Sequence, residues 1–196
     1  MLMTVYGPRL KRLEPEHYRG LAWVHWTLTI DDRRTGWLDG KFLYRFRELL
    51  THNAFRYQVA CPIYCLLPDH VHLLWCGLVE ASDQRLAMQS FRQDSNDSLR
   101  RIGFEFQRQA YDNVLEENEL ERDAIEALVE YIARNPERKK LVPTDAFASY
   151  PYTGCLIPGY PRIRLFQVDG WEPIWRTLSF LKRTQCHRIP DPKRQA

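Results

Sequence analysis

Polar and apolar positions alternate along residues 21–30, LAWVHWTLTI, a run rich in aromatic and β-branched side chains that predicts a strand. After the turn DDRRTG, Asp39 stands where it can cap a helix whose Phe42, Phe46, Leu49 and Leu50 share one face. That helix is expected to run to about His52. A second strand is predicted over residues 55–67, with Pro62 demanding an edge position or a bulge. Pro68-Asp69 then turns the chain into a third strand, HVHLLWCG at 70–77, so that the two form a hairpin. Its period of two sends Val71, Leu73 and Trp75 one way and His70, His72, Leu74 and Cys76 the other.

Residues 82–102 predict a polar helix on which Arg85, Gln89, Arg92, Asn96 and Arg100 fall near one face. Such a face is either solvated or in contact with phosphates, and Gln107 and Arg108 continue the polar surface. A fourth strand is expected around Tyr111–Leu115. In NELERDAIEALVEYIARNP, Asn118 followed by Glu121 resembles a capping box, Ile125, Leu128, Val129 and Ile132 form a core stripe, and Pro136 stops the helix near Asn135. The order β-α-β-β-α-β-α begins with the ferredoxin-like (RRM-like) pattern: an α+β fold with an antiparallel sheet and helices on one face. From Leu141 onward, proline, glycine and tyrosine dominate without a period, and only residues 171–183 read as a short helix. The expected organisation is a domain over 1–140 with a C-terminal extension, 141–196, packed on it as an appendage.

A chain of 196 residues suffices for one domain with a real core. No run of about 18 apolar residues occurs, and MLMTVYGPRLKR lacks the apolar centre of a signal peptide, so a cytoplasmic protein without a membrane partner is expected. The net charge of +3 permits a nucleic-acid partner but does not argue for one by itself. Five cysteines, Cys61, Cys65, Cys76, Cys155 and Cys186, are odd in number and irregularly spaced, which favours small buried side chains over a disulfide framework.

Two features carry candidate chemistry. His70 and His72, at i and i+2 on a strand, project to one face at a spacing that suits two imidazoles on one metal ion. Tyr131 and Asn135, at i and i+4, stack on one side of the last helix, on the shoulder of its apolar stripe, where a tyrosine could also close the core. His25 on the first strand could face the same site or serve the structure. A zinc centre completed by Cys61, Cys65 or Cys76 is the metal-protein alternative. Cys76 shares the histidine face, but four residues of extended chain put it about 13 Å from His72, too far for one tetrahedral ion.

The segment LLPDHVHLLW resembles the signature of the HUH single-strand DNA endonucleases, two histidines around a hydrophobic residue. With Tyr131-Ile132-Ala133-Arg134-Asn135-Pro136 downstream, and FQRQAYDNV between the two, residues 20–145 look like the REP-associated single-tyrosine transposases. The resemblance implies that His70 and His72 bind Mg²⁺ or Mn²⁺, that Asn135 is a third, polar residue of the metal site, and that Tyr131 is the nucleophile. It implies nicking and rejoining of single-stranded DNA beside a hairpin through a 5′-phosphotyrosine link, with no external energy source. Asn113 departs from the pattern, since relatives more often carry histidine there. Candidates for phosphate contact are Arg85, Arg92, Arg100 and Arg108, with Lys182, Arg183, Lys193 and Arg194 towards the C-terminus. The alternative function is a non-catalytic protein that binds DNA or RNA hairpins. A monomer is favoured over a dimer that exchanges the tyrosine helix.

Overall fold

The computed structural model describes residues 12–166 and 170–185. Its centre is a five-stranded, wholly antiparallel sheet made of β1 (Trp23–Thr29), β2 (Val59–Leu66), β3 (His70–Gly77), β4 (Tyr111–Val114) and β5 (Thr153–Leu156), in the order β4-β1-β3-β2-β5. The first four strands stand in the ferredoxin-like order. Pro62 is accommodated by a register shift between Ala60 and Ile63, so the bulge is real, while β2 itself is internal because β5 pairs with its outer side.

Helices α1 (Gly40–Tyr57) and α2 (Gln84–Arg100) cover one face of the sheet, as the element order implies. Asp39 caps α1 by accepting from the Phe42 N–H at 2.7 Å, and Asp83 caps α2 by accepting from Arg85 and Leu86. Their apolar stripes close over Val71, Leu73 and Trp75 in a core dominated by aromatic rings. One member of the expected polar face of α2 is buried: the Asn96 amide accepts from the Phe106 N–H at 2.7 Å and pins the segment leading to β4.

The other face is covered as well, which the sequence pattern left open. Helix α3 (Arg122–Ala133) packs on β2 and buries Ile125, Val129 and Ile132, while Leu128 is half-buried. This helix begins later than expected. Glu116 and Glu119 form a capping box on a short 3₁₀ turn, and α3 starts after Glu121, not after Asn118. It ends at Arg134, and Pro136 opens a new single turn, α4 (Asn135–Arg138).

The C-terminal extension contributes β5 and α5 (Glu172–Gln185). The Tyr64 side chain lies over Gly154, where a Cβ would stand 2.5 Å from its hydroxyl, so glycine at this position makes room for the ring. Helix α5 seats Trp175 near Trp23, with ring centroids 6.0 Å apart, and the indole N–H donates to Glu126 of α3 at 2.6 Å. Among the described residues no helix is long and apolar enough to cross a membrane.

Candidate active site

Strand β3 presents His70 and His72 on the face covered by α3, because they alternate with residues that α1 and α2 bury. Their Nε2 atoms are 3.1 Å apart. Each ring is held from behind through Nδ1. His70 Nδ1 lies 2.6 Å from Asp69 Oδ1, and the other carboxylate oxygen accepts from Arg33 Nη1 at 2.9 Å. Burial alone would raise the Asp69 pKa, but it is outweighed by the hydrogen bond and charge of His70 and by the Arg33 and Lys139 cations, so the carboxyl stays below its ordinary value. An ionised carboxylate only accepts, so His70 carries a proton on Nδ1, which leaves Nε2 as the end able to ligate.

His72 Nδ1 meets Thr27 Oγ1 at 3.1 Å and His25 Nε2 at 3.1 Å. Both partners come from β1, where Thr27 is the register partner of His72. Burial pushes the His25 pKa down to about 4. Burial, joined by the fields of His25, His70 and Arg138, pushes His72 down to about 3. Both rings are therefore neutral at neutral pH, the state a metal ligand requires. Thr27 and His25 can each donate to or accept from Nδ1, so His72 can turn either an N–H or a lone pair towards His70. With the N–H it makes the hydrogen bond across the 3.1 Å gap; with the lone pair the two Nε2 atoms can share a cation. Two ligands held about 2.1 Å from a six-coordinate ion and at right angles stand roughly 3.0 Å apart, so the spacing fits.

No group of three or more His, Cys, Asp or Glu side chains gathers as a metal site among the described residues. The zinc alternative therefore lacks its cysteine ligands. Cys65, the register partner of His72, instead takes the Thr153 hydroxyl at 3.4 Å, and burial raises its pKa to about 11. Any further protein ligand must be of another type, such as an amide. Asn135 is buried and donates through Nδ2 to the Ile132 carbonyl at 3.0 Å, which leaves Oδ1 as the end able to ligate. No hydrogen bond among the described residues joins Asn135 to the histidines.

Tyr131 is 54% exposed, so it does not close the core. The Arg138 guanidinium covers its ring, 4.0 Å from the centroid, and donates to the Tyr131 carbonyl. Arg138 thus belongs to the site although sequence reasoning passed over it. The available signal was its spacing, seven residues or two helical turns beyond Tyr131, but the break at Pro136 obscures that relation. The Asp69–Arg33 and His72–Thr27 contacts were equally invisible, since they join residues from different elements.

Strand β4 sets Tyr111 opposite Thr27 and Asn113 opposite His25, so both side chains share the histidine face. Asp112 turns the other way, accepting from Arg12 at 3.0 Å and from the Tyr18 hydroxyl. The arginines expected to meet DNA lie across the sheet, on the α2 layer. The Arg85 guanidinium lies over the Tyr18 ring, Arg92 donates to the Gln107 carbonyl, and Arg100 pairs with Asp97 and Glu105. Burial, reinforced by the fields of Arg12, Arg100 and Arg108, lowers the Arg92 pKa. Lys182 lies over the Trp23 ring, Arg183 donates to the Ser179 carbonyl, and Lys193 and Arg194 lie outside the described residues.

No family model matches the chain, and no curated protein matches it. Among solved structures it is similar to a REP-associated tyrosine transposase bound to a REP hairpin, at 14% identity and a TM-score of 0.60. The match covers 74% of this chain and 82% of that one. The chain shares the fold of that transposase over about three quarters of its length.

Proposed function

We propose that the protein is a metal-dependent single-stranded DNA endonuclease and strand transferase that acts beside hairpins through a covalent link to Tyr131. The observation that carries this reading is the pair of facing Nε2 atoms of His70 and His72, 3.1 Å apart and with each ring held from behind through Nδ1. A binding module has no use for such an arrangement. The exposed Tyr131 on α3, the hairpin held by the similar structure, and the sequence resemblance support the same conclusion.

His70 and His72 would hold Mg²⁺ or Mn²⁺, with the Asn135 amide oxygen as the third protein donor. When bound, the ion supplies polarisation of the scissile phosphate and neutralises charge on its oxygens. Tyr131 supplies the nucleophile. Its phenolic oxygen bonds to phosphorus, the P–O3′ bond breaks, and the departing oxygen ends as a 3′-OH. The phosphotyrosine keeps the energy of the broken ester, so a second 3′-OH can reverse the step and join strands. Asp69, held by Arg33, fixes the tautomer of His70, and Thr27 with His25 orients His72.

The test is incubation with a labelled single-stranded hairpin and Mn²⁺, followed by a denaturing gel. Wild type should give a covalent adduct that chelator, His72→Ala and Tyr131→Phe each abolish. Tight hairpin binding with no adduct across many sequences would assign the protein to the non-catalytic binders instead.

A further inference from the structure

Arg134 and Arg138 lie one turn apart and have opposite surroundings. Arg134 is held by Glu130, Glu137 and Asp145 at 2.8, 2.9 and 3.3 Å and stacks on Phe147. Arg138, Lys139 and Lys140 are exposed, and none has a carboxylate partner among the described ion pairs. Arg138 therefore stands beside Tyr131 without a carboxylate partner among the described ion pairs, and two further exposed cations follow it in the chain. Arg138 spends one N–H on the Tyr131 carbonyl and sets its guanidinium carbon over the ring, 4.0 Å from the centroid. A guanidinium has five donors in one plane, so the remaining edge can grip two oxygens of a phosphate. The basic run thus meets the tyrosine at Arg138.

We infer that Arg138 grips the scissile phosphate of single-stranded DNA against Tyr131, and that Lys139 and Lys140 take the phosphates next to it. The assignment rests on Tyr131 being the nucleophile. As the phenolic oxygen bonds to phosphorus and the P–O3′ bond breaks, charge spreads over the non-bridging oxygens, where a preplaced guanidinium stabilises it. Arginine keeps its proton throughout; the phenolic proton leaves Tyr131 and the 3′-oxygen gains one, so no further reactant is needed. The planar fork is also why lysine is a poor substitute at 138.

The test measures single-turnover adduct formation at saturating hairpin DNA with Mn²⁺, alongside DNA affinity over a range of salt. Arg138→Gly should slow adduct formation roughly 10²–10³-fold, the loss typical of removing one such donor. Arg138→Lys should recover only a small part of the rate. Guanidinium ion added to Arg138→Gly should restore rate, with no such effect on wild type or Tyr131→Phe. Lys139→Gln and Lys140→Gln should each reduce the slope of log affinity against log salt by about 0.7. A wild-type rate in Arg138→Gly overturns the assignment of Arg138 while leaving the Tyr131 reading intact. So does a slow rate that guanidinium cannot restore, with a lowered melting temperature, since that marks a structural role. Absence of any adduct in wild type overturns both.

Discussion

On one face of β3, Val71, Leu73 and Trp75 are fully buried, with Trp75 in edge contact with Trp26 and Phe91 at 6.3 and 5.8 Å. On the other, His70 and His72 are wired to Asp69, Thr27 and His25 by hydrogen bonds of 2.6–3.1 Å. The two faces differ in what specifies them. The first is defined by volume and shape, and any side chain that leaves a void there costs stability. The second is defined by direction, because each imidazole needs one nitrogen occupied so that the other can act. A strand serves both purposes at once because its period is two, and the packed face gives the polar face a rigid base.

The largest expected effect separates the two faces. Trp75→Ala should lose about 3–5 kcal/mol in denaturant unfolding, as large aromatic-to-alanine changes in cores do. His72→Ala on the same strand should lose no more than about 1–3 kcal/mol, the cost of leaving buried partners unmatched, yet should abolish Mn²⁺ binding measured by calorimetry. Equal stability losses at the two positions would break the comparison.

Acid should act on the polar face selectively. The native pKa values of His72 and His25, about 3 and about 4, lie below the ordinary 6.5, so the unfolded chain takes up protons that the native state refuses. Stability is then fully present above pH 6.5 and falls as pH drops from 6.5 towards about 3. His25→Gln should flatten that slope in unfolding experiments run across this window. An unchanged slope would mean that His25 is accessible to protons in the folded protein.

The dry face extends out to β5, and Gly154 tests how tightly. A methyl group there meets the Tyr64 ring and hydroxyl at 2.5–2.7 Å, so Gly154→Ala should cost roughly 1–3 kcal/mol by overpacking. Thermal unfolding would show it, and an unaltered melting temperature would mean that β5 is loosely held.

The smallest stability effect comes from Arg33, which has φ 52° after Asp32 at φ 53°, two consecutive residues in the left-handed region. Glycine relieves that strain by up to about 1 kcal/mol, while the lost Arg33–Asp69 pair is exposed on its arginine side and worth about 1 kcal/mol. Arg33→Gly should leave stability level or slightly lower and weaken Mn²⁺ binding by about tenfold, because Asp69 then holds His70 less firmly. Unaltered Mn²⁺ affinity would remove Arg33 from the site.

Much of this was legible in the sequence because it is local. Alternation in HVHLLWCG gave the two faces of β3, Asp39 marked the start of α1, and Pro62 announced its bulge. Non-local features were not. TGCL at 153–156 is too short to alternate, and it becomes a strand only because β2 offers an edge and Gly154 makes room for the Tyr64 ring. The start of α3 was misplaced because the local acidic residues cap a 3₁₀ turn first. Asn96 read as a surface residue because its partner, the Phe106 backbone, is ten residues away. Of the candidate site residues, His70 and His72 were visible as a spacing on one strand, and Tyr131 and Asn135 were singled out by the resemblance, whereas Arg33, Thr27 and Arg138 emerge only when separate elements meet.

The most direct test of the central claim is to digest the DNA-linked protein with trypsin and nuclease and to find the peptide that carries the nucleotide. Linkage through Tyr131 predicts the added mass on residues 123–134, DAIEALVEYIAR, with fragmentation placing it on the tyrosine. Added mass on residues 109–122 instead, which hold Tyr111, would contradict the assignment of the nucleophile and move the chemistry to β4.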